Sequence, residues 1–187
     1  DRDGEASTLT NIGLLLSRLG DEQKAIDYYS QALPFFRAVS NPVGEAKTLN
    51  NIGSGYKSLG QPQKALDFYN QALPIQRQIG DRNGEAITLN NIGNVYSDLG
   101  EPQKELDHYN QALEIFQKVG NRYGEAAMLN NVGSIYSDLG EPQKALDYLG
   151  RALPIRREVG DSDGEATTLN NIGFAYGNLG ESRKELE

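Results

Sequence analysis

Apolar positions recur along the chain with two periods, one within each predicted helix and one between repeats. Residues 62–79 carry a stripe with spacings of three and four, formed by Ala65, Leu66, Tyr69, Ala72, Leu73, Gln76 and Ile79. This spacing predicts an amphipathic helix with one buried face. The segment Leu49-Asn50-Asn51-Ile52-Gly53 returns every 40 residues, at 89–93, 129–133 and 169–173, with a looser copy at 9–13. A period of this size predicts an array of stacked repeats.

Each repeat carries start and stop signals for two helices, A and B. In the second repeat, Asn41 is a good N-cap and Pro42 suits the first turn of helix A. Gly60 can end that helix, Pro62 can begin helix B, and Gly80 can close it. The matching signals elsewhere are Asp1, Asp81, Asn121 and Asp161 as caps, Gly20, Gly100, Gly140 and Gly180 as stops, and Pro102 and Pro142 as starts. The short A–B turn predicts antiparallel pairs in repeats 1–40, 41–80, 81–120 and 121–160, with a truncated repeat at 161–187.

Three prolines lie inside the predicted B helices, at Pro34, Pro74 and Pro154. Proline inside a helix removes a hydrogen bond and costs about 3 kcal/mol. The third repeat has Glu114 at this position and keeps apolar residues on both sides of it. We therefore predict that helix B continues past the proline with a kink. The alternative is a helix that stops at Leu73 and leaves Ile75 and Ile79 in a loop.

Composition narrows the classes of partner. The net charge is -8, with 18 basic residues dispersed among 26 acidic ones, which argues against nucleic acid as a partner. The chain has no cysteine, so disulfides and thiolate metal sites are excluded. No apolar run is long enough to span a bilayer, and no signal peptide is visible. We predict a cytoplasmic protein without a membrane partner. The start at a repeat edge without Met predicts a piece of a longer chain.

The repeated residues resemble the tetratricopeptide repeat (TPR). The elements that carry the resemblance are Ile52, Gly53 and Tyr56 on helix A, Gly60 in the turn, and Ala65, Tyr69 and Ala72 on helix B. The repeat departs from the family in its 40-residue length, and Arg77 stands where the family has a late proline. Repeats of this length with an Asn pair are similar to those of kinesin light chains, Pins-type adaptors and bacterial multi-repeat signalling proteins. The resemblance implies an all-α, right-handed TPR superhelical solenoid whose A helices line a concave groove.

Two rows of asparagine are the candidate binding residues. Lys47, Asn50, Ser54 and Lys57 share one stripe of helix A, and Asn51 lies beside it. The two rows are Asn50, Asn90, Asn130 and Asn170, and Asn51, Asn91, Asn131 and Asn171, with Asn94 on the same stripe of the third repeat. An Asn amide matches the N–H and C=O groups of an extended peptide. We predict that at least one row faces a ligand. The alternative is that a row is buried and bonds to backbone between neighbouring repeats.

Residues that vary between repeats are expected to set specificity. They are Arg18, Lys47 and Lys57 in the early repeats, Asp98 and Asp138 in the later ones, and Leu14 and Phe174 at the two ends. This pattern predicts a ligand that is acidic opposite the early repeats and basic opposite the later ones, with an apolar anchor near Phe174. The alternative is that these are ordinary solvated charges. Chaperone-tail TPRs hold a terminal carboxylate with a Lys at the position of Asn50, so their ligand class is not expected here.

Catalysis has little support in the sequence. The single histidine, His108, replaces aromatic residues of the other B helices and has no second imidazole or thiol to act with. No His or carboxylate cluster has metal-ligand spacing. We predict a scaffold without enzymatic activity, cofactor or metal, whose partner is a peptide or a protein helix. Its rivals are a structural spacer, either monomeric or with weak end-to-end association, and a regulatory array of a larger signalling protein.

Overall fold

The computed structural model describes residues 2–185, with side chains for residues 2–180. Every regular element in this part of the chain is an α-helix, which confirms the all-α prediction. The helices are α1 Arg2–Arg18, α2 Glu22–Ala38, α3 Pro42–Ser58, α4 Pro62–Ile79, α5 Arg82–Asp98, α6 Pro102–Val119, α7 Arg122–Asp138, α8 Pro142–Glu158 and α9 Ser162–Glu185. Odd-numbered helices are the predicted A helices, and even-numbered helices are the B helices.

The predicted caps hold the beginnings of the A helices. The side-chain oxygens of Asn41, Asp81 and Asn121 each accept a hydrogen bond from the backbone N–H three residues later, at 2.9 Å. Each bond satisfies one of the N–H groups that an α-helix leaves unpaired at its start. The predicted stop Gly60 has φ 67°, the left-handed conformation that glycine adopts without strain. The cap predicted at Asp1 lies outside the described residues.

The stop predicted at Gly180 is wrong. Helix α9 runs from Ser162 through Gly180 to Glu185. The other A-to-B turns are followed by a proline or by the cap Asp21, whose side chain accepts from Lys24 N. The fifth repeat has Glu181 and Ser182 at these two positions, so it lacks both start signals. A glycine by itself permits a helix to end but does not force the end.

The B helices continue past their internal prolines, as predicted. Helix α4 extends through Pro74 to Ile79, and α2 and α8 likewise contain Pro34 and Pro154. All three prolines are exposed. Asn70, whose carbonyl would pair with residue 74 in a regular helix, is exposed as well, so water can reach that side of the helix. The predicted kink stays a prediction.

The described chain divides into two compact units, which we call the N-terminal unit (residues 1–101) and the C-terminal unit (residues 102–187). The division falls inside the third repeat, between α5 and α6. Each unit is described by itself below, and the prediction of one array over residues 1–187 stays a prediction.

The core of the N-terminal unit forms where α3 packs between α2 and α4. Tyr29, Leu33, Leu49 and Ile52 are buried in one cluster that also includes Ala72. Burying a large apolar side chain of this kind stabilises the fold by about 1.5–3 kcal/mol. Gly53 permits the close approach of α3 to α4, because a Cβ built there would lie 2.6 Å from the ring of Tyr69. The recurring Ile-Gly of the repeat is thus a packing device.

In the fourth repeat, within the C-terminal unit, the equivalent tyrosine is replaced. Leu149 stands at the position of Tyr69, is fully buried, and clusters with Ala145 and Ala175. A Cβ added at Gly133 would lie 2.7 Å from Leu149 Cγ, so the glycine is needed against an aliphatic partner too. The fold therefore accepts either ring or aliphatic side chain at this position, as long as the glycine opposite is kept.

An ion pair links the end of a B helix to the next A helix, and we call it the Arg–Glu clasp. Its members are Arg37–Glu45, Arg77–Glu85 and Arg157–Glu165, with Nε–Oε1 distances of 2.7, 2.8 and 2.7 Å. In the third repeat, Gln117 donates to Glu125 instead, at 3.1 Å. Arg77 occupies the place of the family's late proline, so the clasp gives this departure from the family a structural role.

Candidate functional site

The two asparagine rows meet between neighbouring A helices. In the N-terminal unit, Asn91 Nδ2 donates to Asn50 Oδ1 at 3.4 Å. In the C-terminal unit, Asn171 Nδ2 donates to Asn130 Oδ1 at 3.1 Å. Each bond joins one member of each row across successive repeats. The sequence alternative was that a row bonds to backbone between repeats, and the structure shows instead that the partner is a side chain of the other row.

These bonds leave part of each amide's capacity available. An Asn side chain has two N–H donors and a carbonyl oxygen, and the bond between the rows uses one donor of Asn91 and one lone pair of Asn50. Asn50, Asn51 and Asn91 are half-buried, so part of each side chain is accessible. Asn90 is half-buried too, but its Oδ1 is buried and has no hydrogen-bond partner among the described residues. The four other members of the rows differ among themselves: Asn130 is buried, Asn131 and Asn171 are half-buried, and Asn170 is exposed. Asn94, on the same stripe, is half-buried.

A cleft of about 530 Å³ opens in the N-terminal unit between α1 and α3. Its walls include Leu14 and Asn11 from α1, and Val43, Lys47, Asn50 and Asn51 from α3. Three of the predicted binding residues, Lys47, Asn50 and Asn51, therefore line one concave feature. Polar groups set among apolar side chains in a cleft of this size are typical of a ligand site.

Two of the predicted charged residues pair with each other. Lys57 Nζ lies 3.0 Å from Asp98 Oδ2, between α3 and α5 of the N-terminal unit. The side chains are 33% and 51% exposed, so the pair contributes at most about 1 kcal/mol. Their charges largely cancel locally. The predicted change of charge along the groove therefore depends on Arg18, Lys47 and Asp138, all of which are exposed.

The position of Ser54 differs between repeats in a way that changes the surface. Ser54 Oγ and Tyr69 Oη share a hydrogen bond of 3.1 Å, which joins an exposed serine of α3 to the buried phenol of α4. Burial raises the pKa of Tyr69, and the bond to Ser54 opposes that rise. At the same position, Leu14 is 40% and Phe174 is 58% exposed. The apolar side chains predicted for the two ends are thus at the surface, and the ligand anchor at Phe174 stays a prediction.

Sequence reasoning missed two exposed aliphatic side chains on the A helices. Val43 is 44% and Ile87 is 46% exposed. A signal was present, because the residues that replace Val43 in the other repeats are polar or aromatic, namely Asp3, Asn83, Tyr123 and Asp163. Ile87 likewise aligns with Lys47. An aliphatic residue at a position that is polar in other repeats indicates a local surface feature rather than core.

The described residues offer little for catalysis or metal binding. His108 Nδ1 lies 2.7 Å from the carbonyl oxygen of Lys104, within its own helix. Among residues 2–180, no group of three His, Cys, Asp or Glu side chains is arranged to hold a metal ion. None of the described helices combines the length and the apolar character needed to cross a membrane.

Comparison with solved structures finds the same fold in other proteins. BtubC (BKLC) from P. vanneervenii superposes with a TM-score of 0.85 at 24% identity, over 98% of this chain and 76% of that one. A putative kinesin light chain with TPR-like repeats from Podosopora anserina gives 0.78 at 14% identity, over 98% and 90%. A Rap protein complexed with competence and sporulation factor gives 0.82 at 19% identity, over 98% of this chain and 55% of that protein. These likenesses show the fold.

Family membership rests on the sequence. A comparison with curated proteins gives no match. Family models described as tetratricopeptide repeat match residues 44–118 and 124–187, and a second such model matches residues 6–33. The matched ranges include the Gly53–Tyr69 contact and the Ile-Gly segments that pack the helices. The chain belongs to the tetratricopeptide-repeat family.

Proposed function

We propose that this chain is a protein-interaction scaffold that binds an extended peptide along its A helices. The observation that carries the proposal is the cleft between α1 and α3, whose walls bring Asn11, Asn50 and Asn51 together beside Lys47. Amides of this kind can bond to peptide N–H and C=O groups in any sequence, while the neighbouring side chains select the ligand.

Preorganisation supports the same proposal. Asn50 is held by its bond to Asn91, so its amide is already oriented before a ligand arrives. Fixing a side chain in advance removes about 0.5–1.5 kcal/mol of ordering free energy from the binding step. An extended peptide has unpaired backbone N–H and C=O groups along both edges. It therefore forms more hydrogen bonds to a row of asparagines than a helix does, whose backbone groups are paired internally. Among proteins of this fold, the Rap protein forms a complex with a second molecule, the competence and sporulation factor.

The test is a double substitution in the cleft. A peptide-array screen of this chain selects a ligand, and Asn50→Ala with Asn51→Ala is then compared with Asn70→Ala, an exposed asparagine on α4. Each lost hydrogen bond costs about 0.5–1.5 kcal/mol, so the double variant should bind about 10- to 100-fold more weakly. Asn70→Ala should bind normally. If the double variant has a lower melting temperature and unchanged affinity, the two asparagines have a structural role only.

Backbone readout has its own test. N-methylating the central amides of the selected peptide removes its N–H donors and keeps its side chains. Under the proposal, the methylated peptide loses most of its affinity, as measured by isothermal titration calorimetry. A partner that binds as a helix has its central N–H groups paired internally, and its circular dichroism would become helical on binding. Helical dichroism of the bound peptide would overturn the extended mode and favour the partner-helix alternative.

Self-association is the second candidate, because α9 has a partly apolar exposed surface. Leu169 and Tyr176 are 45% and 61% exposed and lie seven residues apart, on one face of the helix. Exposed apolar side chains close together favour association. Light scattering over a concentration series separates the candidates: a mass that rises with concentration and falls on Tyr176→Ser supports stacking, and a constant monomer mass excludes it.

A further inference from the structure

We propose that the N-terminal unit selects an internal peptide segment in which an acidic residue and an aliphatic residue lie about one repeat apart. The acidic side chain pairs with Lys47, and the aliphatic side chain packs on Ile87. This inference rests on the proposed function and names the ligand class for its first site.

Lys47 and Ile87 occupy the same position in successive A helices, and this position differs in every repeat. Its residues are Ser7, Lys47, Ile87, Ala127 and Thr167. Four residues later the second asparagine row recurs in all five repeats, as at Asn51 and Asn91. A surface position whose residue type differs between repeats, beside a position that is always asparagine, is suited to setting ligand specificity. Both Lys47 and Ile87 are exposed.

The chemistry around Lys47 favours a carboxylate. Among the residues that line the cleft of α1 and α3, Lys47 is the charged one, so a carboxylate of the ligand can pair with it there. Leu14 and Val43 lie on the same walls and would exclude water from a bound segment. Partial desolvation strengthens a Lys–carboxylate pair, and the amides of Asn50 and Asn51 supply further donors. A basic side chain at this place would meet Lys47 without a counter-charge.

The surface around Ile87 favours an aliphatic side chain. Ile87 is 46% exposed on α5, which lies in the same unit and contacts α3 through the Asn91–Asn50 bond. Covering an exposed isoleucine removes apolar surface from water, which favours binding. Asparagines lie on both sides of Lys47: Asn11 on α1 lines the cleft, and Asn91 on α5 bonds to Asn50. An extended segment that leaves the cleft along these asparagines would therefore contact α5.

Helix spacing sets the separation of the two ligand residues. Neighbouring packed helices lie about 10 Å apart, and an extended chain rises about 3.3 Å per residue. The acidic and aliphatic residues should therefore be separated by about three residues. The peptide direction decides which of them comes first.

The experiment exchanges the two positions. Peptides with amidated C termini carry one Glu and one Leu, two to four residues apart and in either order, within a Ser/Thr background. Their affinities are measured for the intact chain and for Lys47→Ile, Ile87→Lys and the double variant. Each new residue already occurs at the same position of the adjacent repeat, so the fold should tolerate it, and the melting temperature checks this.

Lys47→Ile should weaken binding of the preferred peptide about tenfold and remove its salt dependence. Ile87→Lys should weaken it by a similar factor. The double variant should recover the lost affinity for the peptide with Glu and Leu in the reverse order. Recovery with reversed order is the result that a merely structural role of either residue could not produce.

Two outcomes overturn the inference. In the first, Lys47→Ile leaves affinity and salt dependence unchanged, while the Asn50 and Asn51 substitutions abolish binding. This result would support the proposed function and exclude the acidic and aliphatic ligand class. A control peptide of the same sequence has a free C-terminal carboxylate; if only this control binds, the site recognises a chain end and the internal segment is excluded. Absence of binding to any member of the library, with array ligands still bound, likewise removes the acidic and aliphatic pattern.

Discussion

The A-helix surfaces of the two compact units share the asparagine pair and differ in the residues beside it. Asn91 bonds to Asn50 in the N-terminal unit, and Asn171 bonds to Asn130 in the C-terminal unit. Next to these pairs, the first unit has Lys47 and Ile87 where the second has Ala127 and Thr167. The recurring pair therefore belongs to the architecture of the A helices, and the neighbouring positions distinguish one segment of the surface from another.

The same contrast appears in the packing below. Gly53 of the N-terminal unit faces the ring of Tyr69, whereas a Cβ at Gly173 of the C-terminal unit would meet nothing within 4 Å. The two glycines occupy one position of the repeat and have opposite surroundings.

The largest change in the free energy of unfolding should come from adding one methyl group at Gly53. Gly53→Ala forces the ring of Tyr69 to move and should destabilise the chain by about 1–3 kcal/mol. Gly173→Ala should be neutral or stabilising by up to about 1 kcal/mol, because alanine favours the helix. Guanidinium unfolding followed by circular dichroism measures both. Equal losses in the two variants would contradict the packing role assigned to Gly53.

The Arg–Glu clasp offers a second comparison of the units. The side chain of Glu85 is 4% exposed and bonds to both Arg77 and Arg82, whereas that of Glu165 is 30% exposed. Glu85→Gln should cost about 1.5 kcal/mol because it weakens two charged hydrogen bonds. Glu165→Gln should cost about 0.5 kcal/mol, since its exposed partner Arg157 is readily solvated. The free energies of unfolding in urea test this order, and a larger loss at Glu165 would reverse it.

The smallest effect concerns pH. The raised pKa of Tyr69 means that the folded state retains its proton above the ordinary value of 10.0, where the unfolded chain ionises. The stability that Tyr69 contributes is thus complete below about pH 10 and declines as pH rises from there toward its folded pKa. Tyr69→Phe should lower stability by about 1 kcal/mol at neutral pH, through loss of the Ser54 bond, and make the alkaline decline shallower.

Tyr176→Phe is the matched control for this titration. Tyr176 is 61% exposed on α9, so its substitution should change neither the neutral stability nor the alkaline decline. The measurement is the free energy of unfolding from pH 8 to 11.5. An alkaline decline that Tyr69→Phe leaves unchanged would show that other groups cause it.

The part of the fold that could be predicted from sequence rests mainly on residues that mark helix ends. Asn41 with Pro42, Gly60 and Pro62 mark helix ends through backbone conformation and hydrogen bonding within a few residues, so the chain itself carries the information. The helix end predicted at Gly180 is wrong because glycine only permits a helix to end, and no start signal for a following helix stands after it. The prolines of the B helices were placed correctly because Glu114 showed the same apolar pattern without a proline.

The contacts that sequence reasoning missed join residues on different helices. Lys57 and Asp98 were assigned to opposite ends of a charge gradient, although they lie on adjacent A helices and pair. Arg77 and Glu85 are eight residues apart across a turn, a spacing that no single-helix periodicity detects. The bond between Asn50 and Asn91 depends on the offset of neighbouring helices. Such offsets are set by packing, which a one-dimensional pattern does not specify.

The Arg–Glu clasp has a consequence for how such a chain can change its length. The first, second and fourth repeats carry the arginine near their ends, and the following repeats carry the glutamate near their beginnings, so these repeats meet the next one through the same head-to-tail pair. A tandem duplication of residues 41–80 would present Arg77 to a new copy of Glu45 and create a junction of a kind the chain already contains. Gene duplication or deletion in whole 40-residue steps therefore preserves the junctions, whereas an insertion of any other size separates the two charges.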